Sequence, residues 1–134
     1  MKKLILLSII ILIALITKAQ RIEATVSAPI VTYYEIGATF KFKKISFNVA
    51  HSHYKTLDKM MAGLGYRVLG DKDDSFIEFG VNAGRGNKKS AFDIYTKAYI
   101  PLSKKMDFII HPRYTFDKLG NYPEMRIGIA LKTD

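Results

Sequence analysis

The chain has 134 residues, 21 of them basic against 12 acidic, a formal charge of +9 and no cysteine or tryptophan. That length allows one domain. The lack of cysteine excludes a disulfide framework, so burial and hydrogen bonding must hold whatever forms.

The chain opens with Met1, Lys2 and Lys3, continues through an apolar run from Leu4 to Ile16 broken only by Ser8, and then reads Thr17-Lys18-Ala19. A positive start, an apolar stretch and a small residue before a polar one form the pattern of a secretory signal peptide. At about 1.5 Å per residue, that run rises only about 20 Å against a hydrocarbon core of about 30 Å. We therefore expect residues 1–19 to be a leader cleaved after Ala19, with residues 20–134 as a single β-barrel domain. Cleavage removes Lys2, Lys3 and Lys18, leaving a moderate basic excess, and no cysteine follows to carry a lipid anchor. Nucleic acid is an unsuitable partner for an exported chain. Anionic head groups or glycolipid phosphates suit it better.

From Arg21 on, residues alternate with a period of two, the sign of strands with one apolar face. Even positions stay apolar from Ile22 to Phe42, and Pro29 divides the stretch, because a proline within a paired strand leaves a ladder bond unmade. A turn around Ala28 to Thr32 then gives strands near Arg21 to Ser27 and Tyr33 to Phe42. Ile45, Phe47 and Val49 oppose Ser46, Asn48 and Ala50. Met60, Ala62, Leu64, Tyr66 and Val68 oppose Met61, Gly63, Gly65, Arg67 and Leu69. Ile77, Phe79, Val81 and Ala83 oppose Phe76, Glu78, Gly80 and Asn82. From Phe92 to Leu102 the apolar even positions oppose Asp93, Tyr95, Lys97, Tyr99 and Pro101. Met106 to Phe116 and Met125 to Lys132 repeat the scheme. The fold class is all-β: an antiparallel up-and-down barrel of about eight strands.

Lys43-Lys44, Gly70 to Asp74 and Ser103 to Lys105 read as short turns. Ser52 to Asp58, Arg85 to Ser90 and Asp117 to Pro123 read as longer polar loops. With the N-terminus on the periplasmic side, short turns fall inside and longer loops outside, the brief Ala28 to Thr32 connection excepted.

In these strand cores the apolar face carries no charge. The other face holds Glu23, Glu35, Lys41, Arg67, Glu78, Asp93, Lys97, Asp107, Arg113 and Arg126, together with Gly37, Gly63, Gly65, Gly80 and Gly128. Glycine weakens a strand, so its repetition suggests a crowded interior, and charges in a narrow lumen must pair. On this reading the apolar face meets lipid, and Tyr34, Tyr66, Tyr114 and Phe116 lie toward strand ends as an interfacial girdle. The competing arrangement is a soluble exported barrel, periplasmic or secreted, whose apolar face lines a cavity for a small apolar ligand.

The signal peptide, the dyad repeat and the small, charged lumen residues resemble the eight-stranded outer-membrane barrels of OmpA/OmpX type over essentially all of residues 20–134. No specific motif carries the resemblance. It implies a bacterial outer-membrane location, contact with the bilayer and with lipopolysaccharide, a monomer, a solid lumen without an open pore and no cofactor. One departure is the ending Leu131-Lys132-Thr133-Asp134, where many such proteins carry a terminal aromatic residue.

Candidate chemistry is sparse. His51 and His53 leave one face of a strand, but two ligands are not a metal site, and no acidic or cysteine partner lies at helpful spacing. Ser52, between them, points to the opposite face, away from either imidazole as a base. A lipid-modifying enzyme needing both is the third reading, behind a non-enzymatic role. Gly84-Arg85-Gly86-Asn87-Lys88-Lys89 lacks the strand-to-helix context of a phosphate loop and reads as a hairpin. With Lys55, Lys59 and Lys118, it makes Arg85, Lys88 and Lys89 part of a basic outer rim suited to anion contact.

Overall fold

The computed structural model describes residues 20–28, 34–54, 57–70 and 75–133. The leader and its cleavage site, the turn after Ala28 and Lys55 lie outside the described residues. Eight strands form one closed antiparallel barrel in chain order. They are β1 (Arg21–Ala28), β2 (Tyr34–Phe42), β3 (Ile45–Tyr54), β4 (Leu57–Leu69), β5 (Phe76–Gly86), β6 (Lys89–Ser103), β7 (Met106–Asp117) and β8 (Gly120–Lys132). Closure comes from β1 pairing with β8, where Arg21 faces Lys132 and Val26 faces Ile127.

The division of the first segment into two strands agrees with the reading of Pro29. The loops do not agree. Ser52 to Asp58, Arg85 to Ser90 and Asp117 to Pro123 are largely strand, with pairing out to Tyr54 and Leu57, Gly86 and Lys89, and Asp117 and Gly120. By the strand bounds, the most residues separate β1 from β2 and β4 from β5, one such separation at each end of the barrel, so length does not distinguish the two ends. The reason is physical. Ser52, Lys59 and Thr115 continue an inner face that is itself polar, so their polarity does not mark the end of a strand. Asn87 and Lys88 both take positive φ, 48° and 68°, the conformation a two-residue hairpin turn demands.

Alternation sorts the side chains cleanly. Leu64 and Ile36 are each 56% exposed on the outside, and Ile94, Ile127, Ile129 and Leu131 lie on that same surface. The fully buried large side chains include Arg126, Tyr95, Tyr99, Lys59, Phe76, His111 and Glu78. The apolar residues that would line the cavity of the soluble alternative face out instead, so that cavity does not form. Eight strands leave only enough interior for side chains, and an internal cavity beside Glu23, Glu35, Lys97 and His111 amounts to about 20 Å³. Crowding explains the glycines: a Cβ on Gly80 would fall 2.4 Å from Tyr95 Cζ, and one on Gly63 would fall 2.1 Å from the Val81 carbonyl oxygen.

Candidate functional site

The lumen has three levels, which we order from the hairpin end, where β5 meets β6 and β7 meets β8, to the terminal end, where β1 starts and β8 finishes. At the hairpin end Arg113 reaches Glu35 at 2.9 Å, Glu124 at 3.1 Å and Asp93 at 3.3 Å. Arg126 reaches Glu124 at 2.7 Å and Glu35 at 3.3 Å. Ser52 donates to Glu35, Ser27 to Glu124 and Asn82 to Asp93. Lys59 reaches Asp117 at 2.8 Å, and Tyr122 donates to the same carboxylate. Buried carboxylates taking several charge-assisted donors are the arrangement in which burial of charge is tolerable.

At mid-height Lys97 lies 2.8 Å from Glu23, which also accepts from Tyr99 and lies within hydrogen-bond distance of Thr39. Glu78 accepts from Ser46 and from Tyr95, whose hydroxyl accepts in turn from Asn48. The Tyr95 ring meets His111 edge-on at 5.2 Å.

At the terminal end Asp107 is shared by Arg21 and Lys132, each at 2.9 Å. Phe76 and Tyr99 stack at 4.4 Å, and Arg21, Lys41 and Arg67 gather over them.

All nine residues expected in the lumen, Glu23, Glu35, Arg67, Glu78, Asp93, Lys97, Asp107, Arg113 and Arg126, are buried inside the barrel. Seven stand in ion pairs, whereas Glu78 is held by hydroxyl groups and Arg67 lies over Phe76. Sequence reasoning missed Lys59, Asp117 and Glu124 as lumen members, because they fell in or directly beside segments read as loop and Lys59 was assigned to the outer rim. Carrying the parity of each strand two residues further would have found them.

The rim differs from expectation in two respects. Arg85, Lys88, Lys89 and Lys118 are exposed at the hairpin end, Arg85 donating to the Lys88 carbonyl oxygen. Lys59, however, turns inward to Asp117, because its odd position shares the inner face with Met61. The other end is basic as well, with Lys43, Lys44, Lys104 and Lys105 exposed in its hairpins.

His51 and His53 lie on the outer surface, Ser52 inside. An acidic partner does exist, contrary to the spacing argument: register places Asp58 opposite His53. Asp58 Oδ1 lies 2.6 Å from His53 Nδ1 and 3.5 Å from His51 Nε2. The His53 hydrogen bond holds the Asp58 carboxyl below its ordinary range. Among the described residues no group of three or more His, Cys, Asp or Glu side chains is placed to hold a metal ion.

No protein-family model and no curated protein matches the sequence. Among solved structures, one described as "De novo design of transmembrane beta-barrels" is similar, with a TM-score of 0.69 and 10% identity over 87% of this chain and 96% of that one. At that identity the likeness shows the fold, a closed eight-stranded antiparallel barrel.

Proposed function

We propose that the chain is a non-enzymatic barrel of the bacterial outer membrane, with a structural or surface-interaction role. One observation carries this reading: an outer wall of exposed, uncharged apolar side chains encloses a lumen of buried charges. Water would favour the inverse. Exposed apolar surface on this scale marks contact with another apolar phase, and a closed barrel is one of two backbone forms that satisfy their hydrogen bonds in lipid. The similarity to a designed transmembrane barrel supports the same reading.

The lumen acts as a plug rather than a channel, since side chains fill it. Ser52 lies inside and both histidines outside, so the serine–histidine pair that the lipid-modifying alternative needs does not come together. Lys88, Lys89 and Lys118 at the hairpin rim suit contact with anionic glycolipid phosphates. The test is to express the full chain in a Gram-negative host, separate the membranes and run the protein with and without boiling. A heat-modifiable band in the outer-membrane fraction is expected. Recovery as a soluble protein folded without detergent would overturn the reading.

A further inference from the structure

His111 is 2% exposed on the inner face of β7, yet neither of its ring nitrogens has a hydrogen-bond partner among the described residues. Thr25, 5% exposed on β1, leaves its hydroxyl unpartnered in the same way. Buried polar groups in folded proteins almost always pair, with protein or with ordered water. These two side chains line one internal cavity of about 20 Å³. Imidazole and hydroxyl can each donate and accept a hydrogen bond, so both can serve the same small occupant.

The space follows from two small residues placed side by side. Gly37 on β2 pairs with Ala50 on β3, and both line the cavity. Their longer neighbours are held by other partners: Thr39 by Glu23 and Asn48, Asn48 by Tyr95, and Ser52 by Glu35. Those bonds keep the neighbouring side chains out of the gap. The lining is also matched in charge. Glu23 has Lys97 at 2.8 Å, and Glu35 has Arg113 at 2.9 Å and Arg126 at 3.3 Å. A metal cation would find both carboxylates taken, and an anion would find the cations taken. A neutral occupant fits. Water needs about 10–15 Å³ of such space and about two to four polar partners, and both are present.

We propose that this cavity binds one water molecule, which bridges a ring nitrogen of His111 to the Thr25 hydroxyl and to the Glu35 carboxylate. Register supports the arrangement, since Thr25 stands directly opposite Glu35 across β1 and β2. The bridge links the ion cluster at the hairpin end, through Glu35, to the edge-on contact of His111 with Tyr95 at mid-height. Solvent thus completes a hydrogen-bond network that the side chains alone leave open. The site depends on closure of the barrel and not on its membrane placement, so the two readings fail separately.

The test uses protein expressed from the full chain, carrying nitrogen-15 histidine and extracted in an uncharged maltoside detergent. Crystals that diffract well enough to show ordered water should hold one density peak in the cavity. It is expected at about 2.7–3.2 Å from a His111 ring nitrogen and from Thr25 Oγ1. In solution, the His111 ring nitrogen should resonate as a hydrogen-bonded imidazole. Ala50→Val puts two further carbons into the cavity, so the peak should vanish and the His111 resonance move to the unbonded position. The His51 and His53 resonances, on the outer surface, should stay where they are. Thr25→Val keeps the shape of the side chain and removes one partner of the water. It should lower the occupancy of the peak and shift the His111 resonance by a smaller amount, and it decides the matter if Ala50→Val does not fold. An empty cavity in the wild-type crystals would overturn the proposal, as would a His111 resonance identical in wild type and folded variants. Density with several oxygen contacts at about 2.0–2.6 Å would mark a bound cation and overturn the choice of water.

Discussion

The hairpin-end and terminal-end levels of the lumen are built from the same residue types on the same strands, yet they handle charge in opposite ways. Around Arg113 and Arg126, three carboxylates and two guanidinium groups share a continuous set of contacts. Around Phe76, three cations share one ring stack, and the carboxylate that Arg21 reaches, Asp107, is also held by Lys132. Strand parity puts charges inside a barrel; only register decides whether they meet. Glu35 and Arg113 are far apart in sequence and neighbours in space because the barrel closes.

The sharpest way to break this comparison is to remove one cation from each level. Arg113→Met leaves Glu35, Asp93 and Glu124 crowded and less compensated, and should lower stability by about 3–5 kcal/mol, the usual cost of breaking a buried charge set. Lys41→Met removes a charge with no hydrogen-bond partner and leaves an apolar chain against Phe76 and Tyr99. It should be neutral or stabilising by about 1 kcal/mol. Denaturant unfolding in detergent, followed by loss of the heat-modifiable band, measures both. Equal losses would mean that the two levels do not differ as described.

A smaller effect is expected where the levels join. Tyr95 stands at that junction, bonded to Glu78 and Asn48 and edge-on to His111. Gly80→Ala places a methyl group 2.4 Å from Tyr95 Cζ and 2.5 Å from the Leu64 carbonyl oxygen. The backbone cannot yield easily, so the tyrosine must move, at about 1–3 kcal/mol for an overpacked core. Unfolding measured as above, with the environment of Tyr95 followed by ultraviolet absorbance, checks this. An unchanged tyrosine signal with unchanged stability would show that Gly80 does not set its position.

The fold was legible because period-two alternation is a local property, and the nine lumen charges followed from it. Pairing was not legible. Arg21 and Asp107 meet across a chain separation that only closure of the barrel removes. Strand ends were missed for a related reason: Lys59, Asp117 and Glu124 look like loop residues unless the interior is already known to be polar. Asp58 was missed as a histidine partner because the tight β3–β4 hairpin was read as a loop, and its register brings Asp58 opposite His53.

The rim pair should give the smallest effect, and its sign is defined. Asp58 lies on the outer surface at the hairpin end, with its side chain 60% exposed. The His53 hydrogen bond lowers its folded-state pKa below the ordinary value of about 3.9. A carboxylate lowered on folding stabilises above its unfolded pKa, and that contribution fades as pH falls through the lowered folded value. Solvent screens so exposed a pair, so the gain is slight compared with any change inside the lumen. Asp58→Asn should therefore lower stability slightly at neutral pH, with the wild-type and variant curves converging as the pH drops below the ordinary aspartate range. Unfolding midpoints in detergent from neutral to strongly acidic buffer follow the difference. Curves that stayed parallel throughout would locate the acid sensitivity elsewhere, in lumen carboxylates that both proteins share.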